Sequence, residues 1–219
     1  MTDRTFLRLG CAATALILLF ATYRVCAADG EPRDYYSYYK TPVPLTLETQ
    51  RVAVRAPGIQ DEQDLAEVLA PFGMVPGDVS GRPLNGWLTI STPAAARTDP
   101  GARALIRQLS GPEAIRFVSP VFTNEDGWPI MITPDLFVGF AAGVSAERAE
   151  AILRAAGAGE ITDRDYARMD GVYRLRSAFT NGFDVLDAAN ALAKRPEVRS
   201  IRPADIATTN RPGAALGSR

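Results

Sequence analysis

The chain has 219 residues, 47% of them hydrophobic, and its 24 Lys and Arg residues nearly balance 25 Asp and Glu residues, which gives a formal net charge of -1. It contains no histidine, and its two cysteines are Cys11 and Cys26, so catalysis by a Ser-His-Asp or Cys-His arrangement is excluded. The balance of charge also argues against nucleic-acid binding, because phosphate neutralisation normally requires a basic surface.

Residues 1–27 have the pattern of a secretory signal peptide. Arg4 and Arg8 precede an apolar run at residues 11–20, and small residues near position 26 predict cleavage before Ala28. An uncleaved membrane anchor is the alternative, although the run is shorter than the roughly 20 residues that span a bilayer. We therefore predict a secreted or periplasmic protein without stable membrane insertion after cleavage. It would carry 21 basic and 24 acidic side chains and neither Cys nor His.

A Tyr-rich N-terminal segment follows at residues 28–46, with four tyrosines between positions 35 and 39. Two interpretations are open. The tyrosines could form an exposed recognition strip, since Tyr provides a large contact area at low entropic cost. Alternatively, the segment is a strand that lies over the domain that follows.

The rest of the chain repeats one structural unit. The apolar pattern at residues 52–56 reappears 84 positions later at residues 136–140, and residues 87–90 correspond to residues 172–175 at an offset of 85. Such conserved spacing over several elements indicates two copies of one supersecondary unit. The predicted divisions are a first unit at residues 47–126, a second unit at residues 127–205 and a flexible C-terminal tail at residues 206–219.

The first unit alternates strand and helix signals. Polar and apolar residues alternate at positions 51–56, Thr98 with Pro100 predicts a helix start, and Gly73 and Gly111 are helix stops. The predicted elements are a strand at 51–56, a helix at 61–69, a weak strand at 74–79, a turn at 81–86, a strand at 87–91, a helix at 98–109 and a strand at 115–122.

The second unit repeats this order with clearer signals. Ser145 predicts a helix N-cap, and the glycines at 157 and 159 predict its end. The predicted elements are a strand at 136–140, a helix after Ser145, a strand near Tyr166, a strand at 172–176, a helix at 183–192 and a strand at 198–201.

Each unit therefore has the order β-α-β-β-α-β. This order predicts an α+β protein of two tandem ferredoxin-like units, each an antiparallel sheet with its helices on one face. In the second unit Val172, Arg174 and Arg176 alternate with Tyr173 and Leu175, so the face without helices is predicted to be basic rather than aromatic. It is either a solvated or domain-covering face, or a contact surface for an acidic partner.

No catalytic residue is predicted. Lys40 and Lys194 are the only lysines after the signal segment and lie in no serine–lysine motif, and Asp163 with Asp165 lacks the dense oxygen-ligand spacing of a calcium loop. We expect a protein that is not an enzyme and that uses no metal and no cofactor.

A series of short motifs runs in order through residues 35–206. They are Tyr35-Tyr36-Ser37-Tyr38-Tyr39-Lys40, Val43–Leu47, Phe117–Phe122, Ile132-Thr133-Pro134, Gly143-Val144-Ser145, Gly171–Leu175, Asn190-x-Leu192 and Pro196-Glu197-Val198. In this succession they resemble the fervidolysin-type N-terminal prodomain of secreted subtilisin-like serine proteases.

The resemblance implies a module that binds a subtilisin-type protease as inhibitor or folding assistant. In such prodomains the open sheet contacts two surface helices of the enzyme, and the C-terminal tail lies in the substrate groove as an added strand. The corresponding tail residues here are Asp205, Ile206, Ala207, Thr208, Thr209 and Asn210. The corresponding sheet-face residues are Val172, Arg174, Arg176 and Arg202.

This chain differs from the prodomain pattern in two respects. No protease domain follows in this sequence, so binding is expected to occur in trans. The carboxylates that many such prodomains place after the last strand are reduced to Asp205, since Arg202 and Pro203 precede it. Two alternatives remain: an extracytoplasmic interaction module with no protease role, in which Arg174 and Arg176 matter more than the tail, or a truncated remnant of a subtilase precursor.

Overall fold

The structure, a computed structural model, describes residues 33–56, 62–74, 79–84, 87–124 and 126–207. These residues all belong to one compact unit that begins at Arg33. The predicted signal peptide lies outside the described residues.

Four α-helices and ten β-strands lie within the described part of the chain. The helices are α1 (Glu62–Leu69), α2 (Asp99–Leu109), α3 (Ala146–Ala156) and α4 (Gly182–Ala193). The strands are β1 (Tyr35–Tyr38), β2 (Thr41–Pro44), β3 (Thr46–Arg55), β4 (Val79–Leu84), β5 (Trp87–Ser91), β6 (Phe117–Thr123), β7 (Pro129–Phe140), β8 (Glu160–Asp163), β9 (Val172–Arg176) and β10 (Val198–Ala207).

Eight strands form one antiparallel sheet, which confirms the α+β class. Seven of them follow the order β4-β5-β3-β6-β7-β9-β8, and β10 pairs with β7. We call β3 to β6 the first half and β7 to β10 the second half. In each half the first strand lies between the third and the fourth, and the second strand pairs with the third. The remaining strands, β1 and β2, form a separate hairpin.

The two halves join through the β6–β7 hairpin. Gly127, with φ of 75°, donates its backbone N–H to the carbonyl of Asn124 at 2.9 Å, and the N–H of Trp128 donates to Asn124 Oδ1 at 2.8 Å. The start of β7 pairs with β6, the remainder pairs with β9, and β10 follows β7 along its other edge. The strand predicted at 136–140 is therefore only the second part of β7, because Pro134 interrupts the apolar pattern.

The helix starts agree with the predicted caps. The hydroxyl of Thr98 accepts the N–H of Gly101 at 3.2 Å at the start of α2, and that of Ser145 accepts the N–H of Arg148 at 3.3 Å at the start of α3. Gly157 ends α3 with a left-handed φ of 61°, which a side chain rarely adopts. These interactions are local, so a few consecutive residues were sufficient to predict them.

The predictions were wrong for the second strand of each half. The observed β4 starts where the predicted strand ends and occupies most of the segment predicted as a turn. The observed β8 ends before Tyr166, which lies in a single turn of 3-10 helix. Both strands are at the edges of the sheet and pair on one side only. Edge strands tolerate proline and polar residues, so their sequences lack the usual strand signal.

Side chains from both halves meet in one core. The rings of Phe122 in β6 and Phe183 in α4 are 5.9 Å apart, and the guanidinium of Arg103 in α2 lies 4.3 Å above the Phe183 ring. Arg103 also pairs with Asp34 and, at 2.9 Å, with Asp99. Burial alone would lower the pKa of Arg103, but these carboxylates outweigh burial and raise it. The contacts join the N-terminal segment, α2 and α4.

Candidate functional site

The sheet of the second half has two unlike faces. Leu136, Val138 and Phe140 of β7, with Leu175 and Ile201 beside them, are buried in the hydrophobic core together with apolar side chains of α3 and α4. The alternate positions point to the other side of the pleated strands. We call that other side the open face; its members are Asp135, Phe137, Gly139, Glu160, Asp163, Val172, Arg174, Arg176, Ser200 and Arg202.

All four predicted sheet-face residues lie on the open face. The register pairs Val172 with Gly139, Arg176 with Asp135, and both Arg174 and Arg202 with Phe137 from opposite sides. Directly opposed residues of antiparallel strands share a face, so these side chains are neighbours. The alternation seen in the sequence was sufficient to group them, whereas their contact with a partner stays a prediction.

Asp135 holds two of these arginines. Its Oδ2 lies 2.8 Å from Arg174 Nη2, its Oδ1 lies 2.6 Å from Arg176 Nε, and the residue is only 9% exposed. The hydrogen bond with Asp135 is the main cause that raises the pKa of Arg174. The basic character expected from the sequence is therefore partly neutralised within the chain. The sequence could have placed Asp135 on this face, because Asp135 lies two residues before Phe137 in the alternating pattern of β7.

The open face is also aromatic, which corrects the prediction that it is basic rather than aromatic. The rings of Phe137 and Tyr166 are 4.7 Å apart, and the guanidinium of Arg202 lies 5.2 Å from the centre of the Phe137 ring. Arg174 lies 6.0 Å from the centre of the Tyr166 ring. The prediction considered only β9, whereas these rings come from β7 and from the turn that follows β8.

A groove of about 300 Å³ lies on the open face beside β10. Phe137, Gly139 and Val172 contribute to its lining from the middle of the sheet, and the turn and loop described next form its two rims. The described residues that line it are Tyr38, Tyr39, Phe137, Gly139, Tyr166, Met169, Val172, Arg199, Ser200, Ile201 and Arg202.

One rim is the turn of the β1–β2 hairpin. Tyr39 and Lys40 form this two-residue turn with φ of 46° and 70°, and Lys40 Nζ donates to the carbonyls of Ala193 and Arg195 at 2.6 and 2.7 Å. These carbonyls lie at the C-terminal end of α4, where a cation is favourable. The Tyr-rich segment thus packs on the domain, while Tyr38 and Tyr39 remain 51% and 54% exposed at the groove.

The opposite rim is the loop between β8 and β9. Asp165, Ala167 and Arg168 have φ of 50°, 55° and 62°, and Asp165 Oδ1 accepts the N–H of Gly171 at 2.8 Å. Together with Tyr39 and Lys40, these are all the non-glycine residues with positive φ in the described part of the chain. Such residues are uncommon and concentrate at functional sites. Their confinement to the two rims makes this groove the candidate site.

The predicted tail begins inside the sheet. Strand β10 continues six residues past its predicted end, and the backbones of Asp205, Ile206 and Ala207 pair with residues 130–132 of β7. A tail that is free to enter an enzyme groove therefore begins after Ala207. The start of the tail, predicted at residue 206, moves to residue 208. Thr208, Thr209 and Asn210 lie outside the described residues.

Other features do not identify a chemistry. Within the described residues, no group of three or more His, Cys, Asp and Glu side chains is placed to hold a metal ion. No helix in that part of the chain has the length and apolarity needed to cross a membrane. No family model, curated protein or solved structure matches this chain. The open face and the motifs of the sequence are therefore the features that indicate a function.

Proposed function

We propose that this chain is a secreted protein-binding module that engages a subtilisin-type serine protease in trans, as an inhibitor or folding assistant. The open face of the second half contacts the enzyme, and the residues after Ala207 extend toward its substrate groove. We also infer that the two halves are tandem ferredoxin-like units. The shared element order and the shared strand order support this inference.

The observation that carries the proposal is that strand β10 both contributes to the open face and leads into the C-terminal tail. Arg202 of β10 lies on the open face, and β10 ends five residues later at Ala207. At about 3.3 Å per residue, that separation is roughly 17 Å. One partner can therefore contact the face and receive the tail at the same time.

The composition of the face supports protein binding. Tyr38, Tyr39 and Met169 are large exposed side chains at the groove, and arginine guanidiniums lie among them. Aromatic residues, Met and Arg are enriched at protein–protein interfaces and frequently dominate their binding energy.

The test is a titration of residues 28–219 against a panel of subtilisin-type proteases with a chromogenic peptide substrate. We expect competitive inhibition with Kd of about 1 μM or tighter, which is roughly 8 kcal/mol of binding. Deletion of residues 208–219 should abolish inhibition if the tail occupies the substrate groove. Undiminished potency of the deletion variant would exclude the tail mechanism.

A matched pair of variants tests the face separately. Arg176→Glu reverses a charge on the open face, whereas Arg116→Glu makes the same change at an exposed position of the first half. We expect weaker protease binding for Arg176→Glu only. Equal effects of the two changes would show that general electrostatics, not the open face, governs binding.

One observation favours a second candidate, an extracytoplasmic interaction module without a protease role. Asp205, Ile206 and Ala207, the first half of the predicted tail, are paired with β7 of the same chain. Under this alternative, affinity capture recovers a non-protease partner, Arg176→Glu abolishes capture, and deletion of residues 208–219 has no effect. Recovery of a subtilase would contradict it.

A further inference from the structure

A β-bulge places Arg199 over the floor of the groove. The register of β10 against β7 shifts between Val198 and Ser200, so Arg199 is an extra residue on its strand. Bulges re-aim side chains and are frequent next to functional sites. Here the Nη2 atom of Arg199 lies 3.7 Å from the point where a Cβ atom of residue 139 would stand.

Gly139 has no side chain, so its backbone forms part of the floor of the groove. A Cβ atom at this position would lie 2.6 Å from Ser200 Oγ and 3.7 Å from Val172 Cγ2, so it would clash with the side chain of Ser200. Glycine within a strand weakens the strand and frequently marks a place where another chain or a ligand approaches the backbone closely. The bulge and the glycine therefore bring a guanidinium close to the backbone at the floor of the groove.

The charged residues that line the groove favour an anion. Two of the lining residues, Arg199 and Arg202, are basic, and none is acidic. Of the acidic residues on the open face, Asp135 is held by Arg174 and Arg176, and Glu160 and Asp163 lie opposite the same two arginines across the β8–β9 pairing. Within the described part of the chain Arg199 has no ion pair, and it is exposed.

The remainder of the lining is apolar or aromatic. Phe137 and Tyr166 pack against each other on one side of the groove, and Met169 is exposed beside them. A volume of about 300 Å³ is at the lower end of ligand-pocket volumes. The groove thus accommodates a short segment of chain with one charged and one apolar side chain.

We propose that this groove binds an acidic peptide segment of the partner protein, with a carboxylate held by Arg199 above Gly139 and a neighbouring apolar side chain against Phe137, Tyr166 and Met169. A charge-assisted hydrogen bond from the planar guanidinium gives the selectivity for a carboxylate. The aromatic wall supplies apolar contact area. The proposal rests on the proposed role of the open face in protein binding and adds the chemistry that this face recognises.

The experiment is an NMR titration of residues 28–219, labelled with nitrogen-15, with three blocked tripeptide probes. They are acetyl-Phe-Glu-Phe-amide, acetyl-Phe-Gln-Phe-amide and acetyl-Phe-Lys-Phe-amide. We expect the Glu probe to shift the backbone signal of Gly139 and the side-chain Nε–H signal of Arg199. It should bind at least tenfold more tightly than the Gln probe, and added salt should reduce the difference.

Two variants localise the effect. Arg199→Met should remove the preference for Glu over Gln while leaving thermal stability unchanged, because Arg199 is exposed and in no ion pair of the described chain. Gly139→Val should fill the floor and abolish binding of the Glu and Gln probes. Arg116→Met, on the first half, is the matched control and should bind as the unmodified chain does.

Three outcomes overturn the proposal: equal binding of the Glu and Gln probes, shifts confined to another surface, or no shift at millimolar probe. The protease titration gives an independent readout. Binding of the Glu probe without protease inhibition would refute the protease partner and leave the groove chemistry standing. Protease inhibition without a preference for the Glu probe would refute the groove chemistry alone.

Discussion

The two halves place very different side chains at one equivalent position of the sheet. In the first half Arg55 lies between Trp87 and Phe117, whose rings are 5.8 Å apart and both buried. At the sequence offsets of 84 and 85, Arg55 corresponds to Gly139 and Trp87 corresponds to Val172. In the second half Gly139 lies between Val172 and Ser200.

This difference explains why the groove is in the second half. In the first half the rings of Trp87 and Phe117 cover this position and add buried apolar area. In the second half the smaller residues glycine, valine and serine line the groove at this position. Glycine in a strand costs roughly 0.5–1 kcal/mol relative to alanine. The strand order that the two halves share tolerates either solution. The first half buries apolar rings at this position, and the second half has there the groove that we propose as a binding site.

The largest expected effect is the loss of the aromatic pair. Phe117→Ala should lower the free energy of unfolding by about 3–5 kcal/mol, as for other buried phenylalanines. Val172→Ala, in the second half, should cost about 1–2 kcal/mol, because it removes two methyl-sized groups at roughly 0.8 kcal/mol each. Urea unfolding followed by tryptophan fluorescence measures both. Equal losses would contradict the proposed division between the halves.

The two halves also differ at Asp135, which corresponds to Arg51 at the same offset of 84. Asp135 is nearly buried and binds two arginines, whereas Arg51 pairs with Glu48 at 2.8 Å in a more exposed setting. Asp135→Asn should therefore cost about 2 kcal/mol, in the range for hydrogen bonds to charged groups. Arg51→Met should cost less than about 1 kcal/mol. Chemical unfolding of the two variants tests the order; a larger loss for Arg51→Met would refute it.

A smaller effect is expected for the anchor of the hairpin. Lys40→Met removes two hydrogen bonds to carbonyls at the end of α4 and should cost about 1 kcal/mol. It should also speed hydrogen exchange in β1 and β2. Lys194→Met is the control, because the Lys194 side chain carries a charge at the same helix end but makes no hydrogen bond within the described residues. If both variants behave alike, the helix dipole and not the carbonyl contacts holds the hairpin.

The smallest effect is a dependence on pH. Arg164 lies 2.7 Å from Glu150 in α3 and lowers the pKa of that carboxyl from its usual 4.5, mainly through a hydrogen bond. A lowered pKa adds stability above pH 4.5 that is lost as the pH falls through the folded-state value. The corresponding position of α1 is Ala66, so this contribution belongs to the second half alone.

We therefore expect Glu150→Gln to lower Tm slightly at pH 7, and the difference from the unmodified chain to shrink as the pH falls below 4.5. Thermal unfolding followed by circular dichroism across that range measures it. A difference that stays constant with pH would show that the carboxylate does not act through its charge.

The local elements of this protein follow from short stretches of sequence. The caps at Thr98 and Ser145, the strands β5 and β9, and the alternation that groups Val172, Arg174 and Arg176 all depend on residues within a few positions of each other. Periodicity and capping act at this range, so they could be predicted without knowledge of the rest of the chain.

Pairing between strands that are distant in the sequence determined the rest of the fold. The positions of β4 and β8 and the full lengths of β7 and β10 depend on neighbouring strands that lie far away in the sequence. The groove combines Tyr39, Phe137, Tyr166 and Arg199, which come from four separate segments, and its depth depends on the absence of a side chain at Gly139. No local pattern encodes which segments meet. Only the folded sheet, which pairs the backbones of strands that lie far apart in the sequence, brings them together.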